Sequence, residues 1–160
     1  SCQELVKMIR IERKNSLIIL GGPLPSVADS AQLLGEIDCD GLVRGEGEYS
    51  VLGIMENMRE NRFPFEGNLS GLTYFNKNNE IISYPVERIS NLDLLPSPAF
   101  HLLPPLKTYK TRSRKVPVAA IVTSRGCPFE CSFCSKDIFK RIVTYRSAKN
   151  VLAEIDFLVK

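Results

Sequence analysis

Three cysteines packed into eight residues constrain this chain more than any other feature. They are Cys127, Cys131 and Cys134, and they follow the segment Thr123-Ser124-Arg125-Gly126. Gly126 and Pro128 interrupt regular structure on either side of the first cysteine, so the segment reads as a loop able to wrap an ion. Cysteine thiolate is the standard ligand of iron–sulfur clusters, and three thiolates at this spacing reach three corners of a 4Fe-4S cube. No further cysteine lies nearby, and the single histidine, His101, stands 26 residues before Cys127. One iron is then left open, able to bind a substrate or cofactor. On the residues alone other readings stay open. A structural zinc site takes four ligands, and here it needs Cys2, Cys39 or a segment outside the chain. A disulfide within the triplet is an oxidation artefact in a reducing cell.

The rest of the composition narrows the class. The chain has 160 residues and 44% apolar content, which suits one globular domain or parts of two. Its longest apolar runs, Leu17–Leu20 and Val118–Val122, fall far short of the ~20 residues a membrane-spanning helix needs. No charged-then-apolar leader is seen, and the tight, odd cysteine cluster points to a reducing compartment, so a cytoplasmic location without membrane contact is expected. Residues 1–100 carry 9 basic and 14 acidic side chains, whereas residues 101–160 carry 12 and 4. That asymmetry reads as two modules meeting near residue 100. The basic half suits an anionic substrate, a cofactor or nucleic acid, although a solvated face is the commoner meaning of such charge.

Hydrophobic periodicity predicts an α/β organisation. Residues 3–13 place Leu5, Val6, Met8 and Ile9 on one helical face. Ser16–Leu20 reads as a buried strand ending at Gly21-Gly22-Pro23, and Ser26 as the N-cap of a helix that ends near Gly35. Asp40–Arg44 is a second strand, stopped by Gly45-Glu46-Gly47-Glu48. A helix follows with Val51, Ile54, Met55 and Met58 inward. Strands alternating with helices imply parallel pairing through crossovers. With only two strands, this part is expected to be half a domain. Leu69–Phe75 and Glu80–Tyr84 flank a turn-rich Asn76-Lys77-Asn78-Asn79 and predict a β-hairpin. Pro96, Pro98, Pro104 and Pro105 mark a linker, followed by the basic run Lys107, Lys110, Arg112, Arg114 and Lys115. Val118–Thr123 is expected to be a buried strand leading into the cysteine loop. Ser147 caps a last helix with Val151, Leu152, Ile155, Leu158 and Val159 on one side.

The strand followed by C-x3-C-x-aromatic-C, with Ser124-Arg125-Gly126-Cys127-Pro128 before it and Tyr145-Arg146 after it, closely resembles the radical SAM superfamily. The resemblance implies that Cys127, Cys131 and Cys134 hold three irons of a 4Fe-4S cluster. S-adenosylmethionine then binds the fourth, and Phe133 lies near its adenine. It also implies reductive cleavage of S-adenosylmethionine to a 5′-deoxyadenosyl radical, with an electron from a low-potential donor such as flavodoxin or ferredoxin. Core packing is the simpler meaning of Phe129. The segments Leu20-Gly21-Gly22-Pro23 and Asp40–Glu48, and Leu92-Asp93-Leu94-Leu95-Pro96-Ser97-Pro98, resemble the subclass in which a cobalamin-binding domain precedes the radical SAM core. There Gly21, Gly22, Gly45, Glu46 and Gly47 would line the cobalamin tail, since close backbone approach needs small residues. Turn-forming is the alternative role for these glycines. The subclass's D-x-H-x-x-G motif is absent, and His101 cannot supply it.

The expected architecture is therefore α/β: residues 1–66 as the C-terminal half of a cobalamin-binding Rossmann-like domain, 67–115 as hairpin and Pro-rich linker, and 116–160 as the first βα unit of a radical SAM partial barrel. The expected parent is a radical SAM enzyme of methyltransferase or oxidative cyclase type, acting on a small molecule. The chain alone is expected to be inactive and to self-associate through the apolar face of its last helix. A radical SAM enzyme without cobalamin is the second reading. A zinc-stabilised nucleic-acid-binding module is the third.

Overall fold

The structure is a computed structural model that describes residues 1–109, 117–135, 138–139 and 141–159. The basic side chains Lys110, Arg112, Arg114 and Lys115, like the boundary at 115/116, lie outside the described residues. The chain forms two compact units, Ser1–Ile89 with Glu130–Lys140, and Ser90–Phe129 with Arg141–Lys160.

The first unit is a layered α/β structure. Its elements are α1 (Cys2–Glu12), β1 (Ile19–Gly21), α2 (Pro23–Val27), α3 (Ser30–Glu36), β2 (Gly41–Val43), α4 (Glu48–Arg59), β3 (Leu72–Phe75) and β4 (Ile81–Ser83). The four strands form one sheet in the order β1-β2-β3-β4. β1 and β2 are parallel, with Leu20 opposite Leu42. β2 and β3 are antiparallel, with Leu42 opposite Thr73, and β3–β4 is the hairpin. The hairpin thus joins the sheet begun by the two parallel strands, where the sequence suggested a two-strand half-sheet and a separate hairpin. Successive residues of a strand face opposite sides. Leu42 accordingly packs with Val6, Ile18, Leu33, Leu34 and Ile37, while Val43 packs with Ile54, Phe65, Leu72 and Tyr74. The first cluster draws on α1 and α3, the second on α4.

Several local expectations are corrected. One helix was expected behind Ser26, but Ala28 is extended and divides the segment into α2 and α3. Asp29, not Ser26, is the N-cap of α3, its Oδ1 accepting from the Gln32 amide at 2.8 Å. Gly35 lies inside α3, which runs to Glu36. In α4, Ile54 is buried, but Val51, Met55 and Met58 are exposed, and Ser50 and Asn57 take the inward positions. Both polar groups are satisfied there: Ser50 Oγ donates to Ser70 O at 2.6 Å, and Asn57 Nδ2 donates to Pro64 O at 3.1 Å and Glu66 O at 2.9 Å. A buried polar group so paired costs little, and it lets α4 fasten the loop before β3. A hydrophobicity pattern alone cannot anticipate that rotation of the helix.

The second unit holds three single 3₁₀ turns within the Pro-rich stretch (Leu92–Leu94, Phe100–Leu102 and Leu106–Thr108), then β5 (Ser124–Arg125), β6 (Thr144–Tyr145) and α5 (Ala148–Leu158). Ser147 caps α5 as expected, its side chain accepting from the Asn150 amide. The expected strand over Val118–Thr123 is not formed. The ladder is only β5 against antiparallel β6, with Ser124 opposite Tyr145. Val118 and Val122 are exposed. An apolar run becomes a strand only where a neighbour supplies the hydrogen-bond ladder, and among the described residues none flanks 118–122.

The hairpin is joined to β2 at Gly71. Its φ is +69°, and a Cβ there would lie 2.1 Å from Arg44 O. The Arg44 amide donates to Gly71 O at 3.1 Å, and the Gly71 amide donates to Pro85 O at 2.9 Å. Gly71→Ala is therefore expected to destabilise the first unit by about 3 kcal/mol, combining left-handed strain with a backbone collision. Urea unfolding followed by far-UV circular dichroism checks this, and a shift under about 0.5 kcal/mol, the range of an ordinary surface substitution, would contradict it.

Candidate functional site

Parallel pairing brings two glycine-bearing loops to one edge of the sheet. Gly21 and Val43 are register partners at the carboxyl ends of β1 and β2. Gly22 follows the first, and Arg44-Gly45-Glu46-Gly47 the second. Ligands of open α/β sheets bind outside these carboxyl ends. Gly21 and Gly22 are exposed. Gly22 has φ +100°, and a Cβ built there meets nothing within 4 Å. The backbone at this point is open to a ligand. Ser26 ties the loops together: its Oγ donates to Gly22 O at 2.8 Å and accepts from the Gly45 amide at 2.9 Å. This bridging role was missed in the sequence, where Ser26 reads as an ordinary helix cap.

The second loop is partly used by the fold. Gly45 has φ +75°, and a Cβ would meet Val86 Cγ1 at 2.4 Å; one at Gly47 would meet Val43 Cγ1 at 3.2 Å. Glu46 is buried, and its Oε2 accepts from the Ile89 amide at 2.9 Å. It therefore anchors the segment that follows β4.

The cysteine loop is shaped at its entrance. Gly126 has φ +97°, and a Cβ would fall 2.0 Å from Ile142 O. Only glycine allows the chain to pass this close to Ile142, two residues before β6, and still deliver Cys127. Cys127, Cys131 and Cys134 are all free and exposed. The amide of Cys134 donates to Cys131 O at 3.2 Å, which makes a tight turn. Phe133 and Phe129 are exposed, Phe133 at 90%. For Phe129 this corrects the expectation of core packing. Among the described residues, no three His, Cys, Asp or Glu side chains are grouped as a metal site. The donor set nonetheless fits an iron–sulfur cluster, since it consists of three free, exposed thiols. Metal sites commonly organise when the metal binds. Cys39, by contrast, packs against the first core cluster, and burial pushes its thiol pKa up. It suits a packing role.

Downstream of the loop, Arg146 and Ser147 gather polar groups. Ser147 N donates to Asp93 Oδ1 at 2.9 Å, so the linker segment Leu92–Leu95 is fastened to the start of α5. Hydrogen bonds from Ser147 hold the Asp93 carboxyl below the usual range, and Arg146 adds attraction. Arg146, just before α5, and Asn150 and Glu154 within it recur every four residues, and this spacing was available in the sequence.

No protein-family model matches the chain. An uncharacterized methyltransferase of Pyrococcus horikoshii is 32% identical over 157 residues, which is 96% of this chain and 33% of the relative. An anaerobic magnesium-protoporphyrin IX monomethyl ester cyclase of Rubrivivax gelatinosus is 35% identical over 124 residues, 76% of this chain and 22% of the relative. Two solved structures share the fold. One is the cobalamin-dependent S-adenosylmethionine radical enzyme OxsB with aqua-cobalamin and S-adenosylmethionine bound, with a TM-score of 0.71 and 20% identity over 97% of this chain and 21% of that one. The other is the radical S-adenosylmethionine methyltransferase TsrM from Kitasatospora setae with cobalamin and a 4Fe-4S cluster bound, with a TM-score of 0.64 and 19% identity over 98% of this chain and 31% of that one. The chain is thus similar in sequence to a methyltransferase and a cyclase, and it shares its fold with two radical S-adenosylmethionine enzymes. It spans a third or less of the length of these relatives. No helix among the described residues is long and apolar enough to cross a membrane.

The depressed Asp93 carboxyl gives a pH signature. A carboxylate held below its unfolded value contributes stability above that value and loses it as pH falls through the folded value. Protection of the α5 amides is expected to be full at neutral pH and to decline only in acid, below the ordinary carboxyl range. Asp93→Asn should remove that acid-dependent step, as read by amide exchange from about pH 2 to pH 7. An unaltered profile in the variant would rule the contact out as its source.

Proposed function

We propose that the chain is part of an enzyme that binds a 4Fe-4S cluster through Cys127, Cys131 and Cys134, together with S-adenosylmethionine and cobalamin. The single observation that carries this reading is the set of three free, exposed thiols at C-x3-C-x2-C behind a glycine that no other residue can replace. With three protein ligands, a cubane keeps one iron for an external ligand and, when reduced, supplies the electron for S-adenosylmethionine cleavage. The exposed Phe133, between Cys131 and Cys134, offers an aromatic face to the adenine. Gly126 sets the direction of the chain into Cys127.

The open backbone at Gly21-Gly22 and the Ser26 bridge to Gly45 support a cobalamin tail lying across the carboxyl ends of β1 and β2. Cobalamin, when bound, supplies a methyl carrier. Similarity to a methyltransferase and to a cyclase supports methyl transfer or ring formation on a small molecule as the overall reaction. A low-potential protein such as flavodoxin or ferredoxin is the proposed electron donor. An oxygen-sensitive cluster of this kind suits a reducing cytoplasm.

Anaerobic reconstitution of the full-length protein tests the metal. Iron and sulfide should load at about four each per chain, as a single cubane requires. Cys127→Ala, Cys131→Ala or Cys134→Ala should each lose them, while Cys2→Ala and Cys39→Ala should not. Equal iron in the triple variant would sink the assignment, and zinc in its place would favour a structural zinc module. Cobalamin is tested separately with Gly21→Val. Its φ is not left-handed, and its Cβ would meet only Val43 O, at an ordinary 3.6 Å. The fold should therefore accept valine, and cobalamin retention should fall at least tenfold, as a branched side chain clashes with a close-lying ligand. Unchanged retention would favour a radical SAM enzyme without cobalamin.

A further inference from the structure

Arg146 makes more contacts than a surface arginine needs. Its guanidinium donates from Nη1 to Val122 O at 2.9 Å and from Nε to Asn150 Oδ1 at 2.6 Å. Its Nη2 lies 2.5 Å from Glu154 Oε2, with the two side chains 12% and 2% exposed. Its own amide donates to Thr123 O at 2.9 Å. One residue thus holds two successive carbonyls of the segment that enters the cysteine loop and ties them to α5. From Thr123, four residues of chain lead to Cys127.

We propose that Arg146 is a positioning residue for the cluster loop, locked in place by Glu154 and Asn150. The proposal rests on reading the three cysteines as cluster ligands. Its physical basis is the hold that one residue has on two successive carbonyls, Val122 O and Thr123 O. Residues 118–122 have no ladder partner among the described residues, and β5 is only two residues long. The path into Gly126 and Cys127 is therefore set by the short β5–β6 pairing and by the arginine. A guanidinium is suited to this task because its donors are fixed in one planar fork. A buried carboxylate opposite it selects one rotamer, and a buried ion pair is better explained by such specification than by net stability. The link from Arg146 to Val122 and Thr123 constrains where the first ligand can sit when the cluster assembles.

The test uses full-length protein, reconstituted anaerobically, with Arg146→Lys, Glu154→Gln and the control Lys149→Ala on the exposed side of α5. Lysine keeps the charge beside Glu154 but cannot also donate to Val122 O and Asn150. Glutamine keeps an acceptor for Arg146 but removes the charge that fixes it. Both variants should stay folded by far-UV circular dichroism. Iron release to a chelator should accelerate about tenfold in Arg146→Lys, the scale on which groups supporting metal ligands act. Acceleration in Glu154→Gln should be smaller, and Lys149→Ala should match the unsubstituted protein. The change that S-adenosylmethionine produces in the electron paramagnetic resonance spectrum of the reduced cluster should weaken in the same order. A second readout needs no cluster. In the metal-free protein, the Arg146 amide and those of residues 124–126 should exchange faster in both variants. Folded Arg146→Lys with unchanged iron release and unchanged exchange overturns the proposal. If the unsubstituted protein takes up no iron, the cluster reading fails, and amide exchange alone decides whether Arg146 holds this segment.

Discussion

Everything in the first unit depends on the lateral pairing of β2. This three-residue strand is buried along its whole length, with Leu42 at 0% and Val43 at 3% exposure. It pairs parallel with β1 on one side and antiparallel with β3 on the other. Such a strand needs apolar side chains on both faces, and Leu42 and Val43 supply one to each core cluster. The parallel pairing then forces the loops after Gly21 and Val43 to emerge at one edge. The antiparallel pairing brings in the hairpin, which Arg44 fastens by donating from Nη2 to Ser83 Oγ at 2.8 Å and Tyr84 O at 2.7 Å. The open backbone at Gly22 is a consequence of this geometry.

Elements whose signal is local were legible in the sequence. The caps at Ser147 and the turn at Asn76 follow from short-range chemistry. Asn76 Oδ1 accepts from the amides of Asn78 and Glu80, both at 2.9 Å, and Asn79 adopts φ +63°. Asparagine tolerates that left-handed conformation better than most residues. The apolar run at 118–122 misled for the opposite reason. Its β character is real, but a strand is a property of pairs, and the partner is not specified by the run itself. In α4 the inward face is set by Ser50 and Asn57 reaching backbone carbonyls. No scale of hydrophobicity ranks those residues as core.

The functional residues divide along the same line. The cysteine triplet stands out because its spacing is itself the chemical requirement of a cluster, and all three thiols are free and exposed. Ser26 was misjudged because its partners, Gly22 O and Gly45 N, are joined only by tertiary structure. Glu46 was expected near a ligand, yet its carboxylate serves the amide of Ile89. Arg146 stood in a recognised motif, but its task of holding Val122 and Thr123 becomes visible only when α5 is placed against the segment before β5. In both units, short ladders are extended by side chains that bind backbone carbonyls: Arg44 and Ser50 in the first, Arg146 in the second.

The central claim is that Cys127, Cys131 and Cys134 hold a cubane with one iron left for S-adenosylmethionine. Pulsed electron–nuclear double resonance on the reduced, reconstituted full-length protein tests it most directly, with S-adenosylmethionine labelled by ¹⁵N at its amine and ¹⁷O at its carboxylate. Both labels are expected to couple to the cluster, because both groups would bind the open iron. A fully formed cluster that shows neither coupling would contradict it.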